Sequence, residues 1–251
     1  MPYSIGLAGK GGTGKTTIAG LLVRYLVEKE KTPVLAVDAD SNANFNEVLG
    51  LEVKDTLGDA REEMKKGVST GMTKDVFMEM KLEQAVVESV GFDLIVMGRP
   101  EGAGCYCAAN TLLTQYLGRL IDNYKSVVID NEAGMEHISR LTTNNIDLLL
   151  IISDASRRGI LSAARISELT DELGVNIGSK LFIINQVKGN QSEALKKVAR
   201  EYGMVVAGII PEDEMVREFD LTGEPTIKLD VNSIAFKEVY NIFDKNININ
   251  I

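Results

Sequence analysis

One stretch near the start of the chain, Gly9-Lys10-Gly11-Gly12-Thr13-Gly14-Lys15-Thr16, limits what the chain can fold into more than any other feature. A loop of this kind works only where a buried strand ends and a helix begins. Its glycines let backbone N–H groups close around anionic oxygens, and the helix adds its positive N-terminal end. The flanks supply that setting. Tyr3 to Ala8 form a short apolar run suited to a buried strand, and Ile18, Leu21, Leu22, Tyr25 and Leu26 then recur at helical spacing. A glycine-rich turn that merely starts a helix has no need to fill every position of the motif. The pattern predicts a phosphate cradle built from Gly11, Gly12, Thr13, Gly14 and Thr17. Lys15 would reach the β- and γ-phosphates, and the Thr16 hydroxyl would bind Mg²⁺.

Beyond the loop, apolar and β-branched runs recur at 33–37, 92–97, 126–129, 148–152, 180–184 and 205–210, separated mostly by helix-like segments. Strands that are apolar throughout are buried on both faces. The alternation therefore predicts an α/β fold of the P-loop NTPase kind, a mostly parallel sheet with helices on both faces. No linker-like tract divides the chain, so residues 1–251 read as one domain. Residues 54–91 mix Met64, Met72, Phe77, Met80 and Leu82 with many charges and read as a helical insertion whose methionines are packing residues.

In parallel sheets ligands sit beyond the carboxyl ends of the strands, where two further acidic elements fall. Asp38 and Asp40 end the strand beginning at Pro33, and period-two geometry points both carboxylates to one side. One can hold a Mg²⁺-bound water while the other orients the attacking water, the two tasks of phosphoryl transfer to water. Asp130 closes the apolar strand Ser126-Val-Val-Ile-Asp130 and is expected to bind Mg²⁺ through water, with Ala133-Gly134 as a flexible turn behind it.

The formal net charge of −9 disfavours broad binding to nucleic acid or anionic lipid, which rests on a basic face. No leader-like segment opens the sequence, and no apolar run approaches the roughly 20 residues that span a bilayer, so the expectation is a cytoplasmic protein. Its two cysteines, Cys105 and Cys107, are too close together to staple distant parts of a fold. In an extended or turning segment they can place two thiolates on one soft divalent ion, whereas in a regular helix they diverge by roughly 160°. Two ordinary buried cysteines or a redox pair would share that spacing; the glycine-rich, polar run 98–104 before them favours an exposed metal loop over about 98–108. Two thiolates fill half of a four-coordinate site, and a second subunit can supply the rest.

With Lys10 in its phosphate loop, the sequence resembles the deviant-Walker ATPases, a group that includes septum-site and partition ATPases, arsenite-pump ATPases and the nitrogenase iron protein. The resemblance implies a homodimer holding ATP between protomers, with Lys10 reaching into the facing active site, Asp40 positioning water in switch I and Asp130 opening switch II. It also implies an adenine pocket made by Asn185 and by the loop 210–213, including Pro211 and Asp213. The combination of this loop, Cys105-Tyr106-Cys107 and the switch II run Asp130-Asn131-Glu132-Ala133-Gly134-Met135-Glu136-His137 is similar to the CooC family. That likeness implies ATP-driven assistance of nickel insertion into carbon monoxide dehydrogenase, or into acetyl-CoA synthase, with Ni²⁺ or Zn²⁺ at the cysteines. His137, the only histidine, reads either as a tuner of that metal or as a surface residue. Two other readings follow from the wider group: a nucleotide-switched partition or spatial-organising ATPase, and an iron–sulfur electron carrier like the nitrogenase iron protein.

Overall fold

The computed structural model describes residues 2–40, 44–67, 71–98, 115, 117–131 and 145–247. Its elements run β1 (Tyr3–Gly9), α1 (Lys15–Glu28), β2 (Val34–Ala39), α2 (Phe45–Leu49), α3 (Leu57–Lys66), α4 (Lys74–Ala85), β3 (Val87–Glu88), β4 (Phe92–Val96) and β5 (Ser126–Asn131). They continue with β6 (Asn145–Ser153), α5 (Arg157–Glu172), β7 (Asn176–Val187), α6 (Ser192–Glu201), β8 (Val206–Pro211), α7 (Glu214–Thr222), a 3₁₀ turn (Thr226–Lys228) and α8 (Ile234–Asn246). The strands form one sheet in the order β3-β4-β2-β5-β1-β6-β7-β8. Every neighbouring pair is parallel except the short β3–β4 edge.

Period-two alternation explains why both faces are covered. On β2, Val34 and Ala36 join the core around α1, α2 and α8, while Leu35 and Val37 join the opposite core with Leu57, Met78 and Leu82 of α3 and α4. On β6, Leu148, Leu150 and Ile152 face the α1 side, and Leu149 and Ile151 pack with Ile160 of α5 and Leu195 of α6. A strand apolar at every position thus serves two cores at once.

The insertion foreseen over 54–91 holds α3 and α4 and ends in β3, a two-residue strand that no periodicity announces. Met78 is fully buried there, and Met64 and Met97 pack against the same core, as adaptable thioethers do. Helix starts follow capping chemistry. Thr56 and Asp59 form a reciprocal capping box on α3, and Thr73, Ser156, Asp213 and Ser233 each accept a first-turn amide of their helices. The chain leaves β1 toward β2 on one side and later crosses from β5 to β6 on the other, so the loop after β1 sits where the strand order reverses.

Candidate nucleotide site

At that point Gly9 through Thr16 turn from β1 into α1, and Gly14 takes the N-cap position in a left-handed conformation, φ 82°. A side chain at Gly14 would also collide with the Asn185 amide, so both backbone geometry and space require glycine there. Three carbonyls of the loop are held by side-chain donors. The Thr13 hydroxyl donates to Lys10 O at 2.9 Å and Lys15 Nζ to the same oxygen at 3.4 Å. Asn185 Nδ2 donates to Thr13 O at 2.9 Å, and Gln186 Nε2 to Gly12 O at 3.2 Å. With these three carbonyls engaged by side chains, the loop keeps its amides as the donors for an anion. Lys15 is 7 % exposed, whereas Lys10 lies at the exposed rim.

The loop opens on a cleft of about 670 Å³. Gly11, Gly12, Gly14, Lys15, Thr16 and Thr17 line it together with Asp40 and Asn44, as do Asn185, which touches the phosphate loop, and Pro211 and Asp213 at the end of β8 and beyond. The expected nucleotide-contact residues therefore share one cavity, apart from Thr13, which is buried behind the loop. Asp213 does more than line the wall. Its carboxylate accepts from Met215 N, Ser233 Oγ and Ala235 N at 2.8, 2.6 and 2.9 Å, tying the starts of α7 and α8 together. Burial would raise its pKa, but these bonds outweigh burial and hold the carboxyl below its ordinary range.

The acidic strand ends lie one layer below. Asp130 pairs in register with Leu7 on one side and with Asp38 on the other, which sets both carboxylates beside the loop. Asp130 is 2 % exposed and stands beside Thr16 and Lys15, yet its Oδ1 has no hydrogen-bond partner among the described residues. Burial pushes its pKa up to about 7, aided by Asp38 and opposed by Thr16 and Lys15. A buried, unsatisfied carboxylate oxygen beside a threonine hydroxyl and a phosphate loop fits a hard divalent cation, whose ligands are oxygens. Asp38 is fully buried and accepts from Asp40 N and Phe45 N, both at 3.0 Å. Burial raises it to about 6 against those two bonds. Asp38 therefore also anchors the backbone at Asp40 and at the start of α2, a task not evident from its place in the motif.

Two residues escaped the sequence reading. Asn131 is fully buried and donates to Leu7 O at 2.9 Å, locking the end of β5 to β1. Gln186 braces the phosphate loop. A side-chain amide just after an apolar run of the sequence is the only local signal either one carries. Cys105, Cys107, Gly134 and His137 lie outside the described residues. The approach to the cysteines is visible, however: Met97 N donates to Asp38 O at 2.9 Å, and Gly98 sits against Thr56 at the start of α3. Among the described residues no group of three or more His, Cys, Asp or Glu is poised to hold a metal.

A phosphate loop after the central strand, a buried aspartate on the neighbouring strand and a cleft at the sheet's carboxyl edge define a P-loop ATPase. Residues 5–227 match the CobQ/CobB/MinD/ParA nucleotide-binding domain, and the chain belongs to that family of ATP-binding, ATP-hydrolysing proteins. An uncharacterised ATP-binding protein of Methanocaldococcus jannaschii is 43% identical over 249 residues, covering 97% of this chain and 98% of the relative. The carbon monoxide dehydrogenase accessory protein CooC of Rhodospirillum rubrum is 35% identical over 185 residues, 68% of this chain and 70% of that protein. Among solved structures, the septum site-determining protein MinD of Pyrococcus horikoshii, in complex with Mg-ADP, aligns with a TM-score of 0.72 at 23% identity, covering 99% and 97% of the two chains. That last likeness concerns the fold.

Proposed function

We propose that the protein is a homodimeric, nucleotide-switched metallochaperone that assists nickel insertion into carbon monoxide dehydrogenase or a related nickel enzyme. The observation that carries this reading is the similarity to CooC, joined to a Cys-x-Cys at 105 and 107 whose approach leaves the sheet beside switch I. Met97 is hydrogen-bonded to the backbone of Asp38, and Asp38 carries the amides of Asp40 and Phe45. A nucleotide-dependent shift of switch I therefore has a short covalent and hydrogen-bonded route to the metal loop.

In the hydrolytic step, Lys15 and the loop amides hold the β- and γ-phosphates, and Asp40 accepts a hydrogen bond from the attacking water and orients it in line. Thr16 and Asp130, with Asp38 behind them, would hold Mg²⁺, which neutralises charge on the phosphate oxygens when bound. Lys10, at the exposed rim, would add its charge across the dimer interface. Pairing would also bring two Cys105/Cys107 pairs together as a four-thiolate site for Ni²⁺ or Zn²⁺ as cargo.

The test is an anaerobic titration of Ni²⁺ and of Zn²⁺ into nucleotide-free, ADP-loaded and ATP-loaded protein, with mass recorded in solution. One ion per dimer, altered by nucleotide and lost in the double variant Cys105→Ser/Cys107→Ser, is the expected result. Metal binding that ignores the double substitution would overturn the shared site. Sedimentation of the ATP-bound protein with anionic vesicles or with DNA would instead favour the spatial-organising reading. A visible cluster absorption after anaerobic purification would favour the iron–sulfur reading.

A further inference from the structure

The far end of β7 carries a device that the phosphate-loop motif does not predict. From Ile184 to Val187 the strand advances three residues, while its neighbour β8 advances two, from Ile209 to Pro211. The extra residue makes a bulge, and within it Gln186 adopts a left-handed backbone, φ 59°. Non-glycine residues rarely take that conformation, and bulges next to functional sites re-aim side chains. In a regular strand Asn185 and Gln186 would point to opposite faces of the sheet. Here both amides reach the phosphate loop, Asn185 Nδ2 at Thr13 O and Gln186 Nε2 at Gly12 O. The partners are carbonyls, which only accept, so in each case the amide nitrogen must be the donor. The other side of the bulge is fastened to the wall of the cleft: Glu212 N donates to Val187 O at 3.0 Å, and Lys188 pairs with Glu212 at 3.3 Å.

We propose that Gln186 is a positioning residue for di- and triphosphate binding, held by the β7 bulge so that, with Asn185, it pins consecutive carbonyls of the phosphate loop and thereby aims the loop's amides at the phosphates. The clamp joins the loop to the Pro211–Asp213 wall, so a nucleotide that touches both closes one connected frame. The inference rests on ATP binding, which the family establishes, and is independent of the nickel reading.

Isothermal titration of ADP, ATP and adenosine in the presence of Mg²⁺ tests it in two variants. Gln186→Gly keeps the left-handed backbone and removes the whole side chain, its donor included; Gln186→Glu keeps the side chain's length and sets a carboxylate against the Gly12 carbonyl. Both variants are expected to bind ADP and ATP roughly five- to tenfold more weakly, the glutamate variant more so, as fits loss of one hydrogen bond. Adenosine affinity should be unchanged, and the melting temperature of the nucleotide-free Gln186→Gly protein should be equal to or above that of the parent. Wild-type ADP affinity in Gln186→Gly, or equal loss for adenosine and ADP, would overturn the proposal, because a merely structural residue does not distinguish the phosphates from the nucleoside.

Discussion

At the scale of single residues, Asp130 and Gly14 carry the sharpest consequences. Burial holds the Asp130 carboxyl near pH 7 in the folded, nucleotide-free protein, while the unfolded chain releases that proton near pH 4. A group with a raised folded pKa contributes stability that is complete below its unfolded pKa and is lost as pH rises through the folded one. Asp130→Asn should therefore be more stable than the parent at pH 8 in chelator, with the gap narrowing as pH falls through 7 and closing only below about 4. A gap that thermal melts show to be independent of pH would refute this. Gly14→Ala should lose roughly 1–3 kcal/mol, because it meets both a positive φ and the Asn185 amide, and ADP binding should fall with it. Melts and titrations with ADP check both parts. The phosphate loop and Asp130 were legible in the sequence because their chemistry is written in consecutive residues. Gln186 was not, since nothing beside it announces the bulge that turns it around.

Among the elements, α1 and α2 show how packing can override propensity. Gly20 lies inside α1, where alanine would ordinarily add about 1 kcal/mol of helix stability. A Cβ there would instead run into Val48 of α2. Overpacking of this kind costs typically 1–3 kcal/mol, so the clash wins, and Gly20→Ala is expected to destabilise the protein in denaturant unfolding. A stabilised variant would mean that α2 yields freely. Because α2 begins at Phe45, whose amide Asp38 holds, the same substitution should disturb switch I and slow steady-state ATP hydrolysis. The long strands could be read from their unbroken apolar runs. β3 and α2 could not, for two and five residues are too few to display a period. β7 starts at Asn176, ahead of the apolar run at 180–184, because its first residues are polar and partly solvated and look like a loop in one dimension.

For the molecule as a whole, Lys10 is exposed, and in the proposed dimer its side chain would be open to the facing subunit. Lys10→Ala should retain the fold and ADP binding while losing ATP-dependent pairing and most of the ATPase rate. Light scattering with ATP and a turnover assay decide the matter, and unchanged pairing would exclude the cross-subunit role. The chain's local patterns determined the phosphate cradle, the acidic strand ends and a two-faced parallel sheet, because each depends on neighbours in sequence and on periods of two or 3.6 residues. Tertiary structure alone decided that Asn185 meets Thr13 across a separation of 172 residues, that Asp38 anchors the backbone as well as standing beside Asp130, and that Gly20 must stay small. Those contacts depend on strand order, register and one bulge, which appear only when distant segments pack and which no local window of sequence contains.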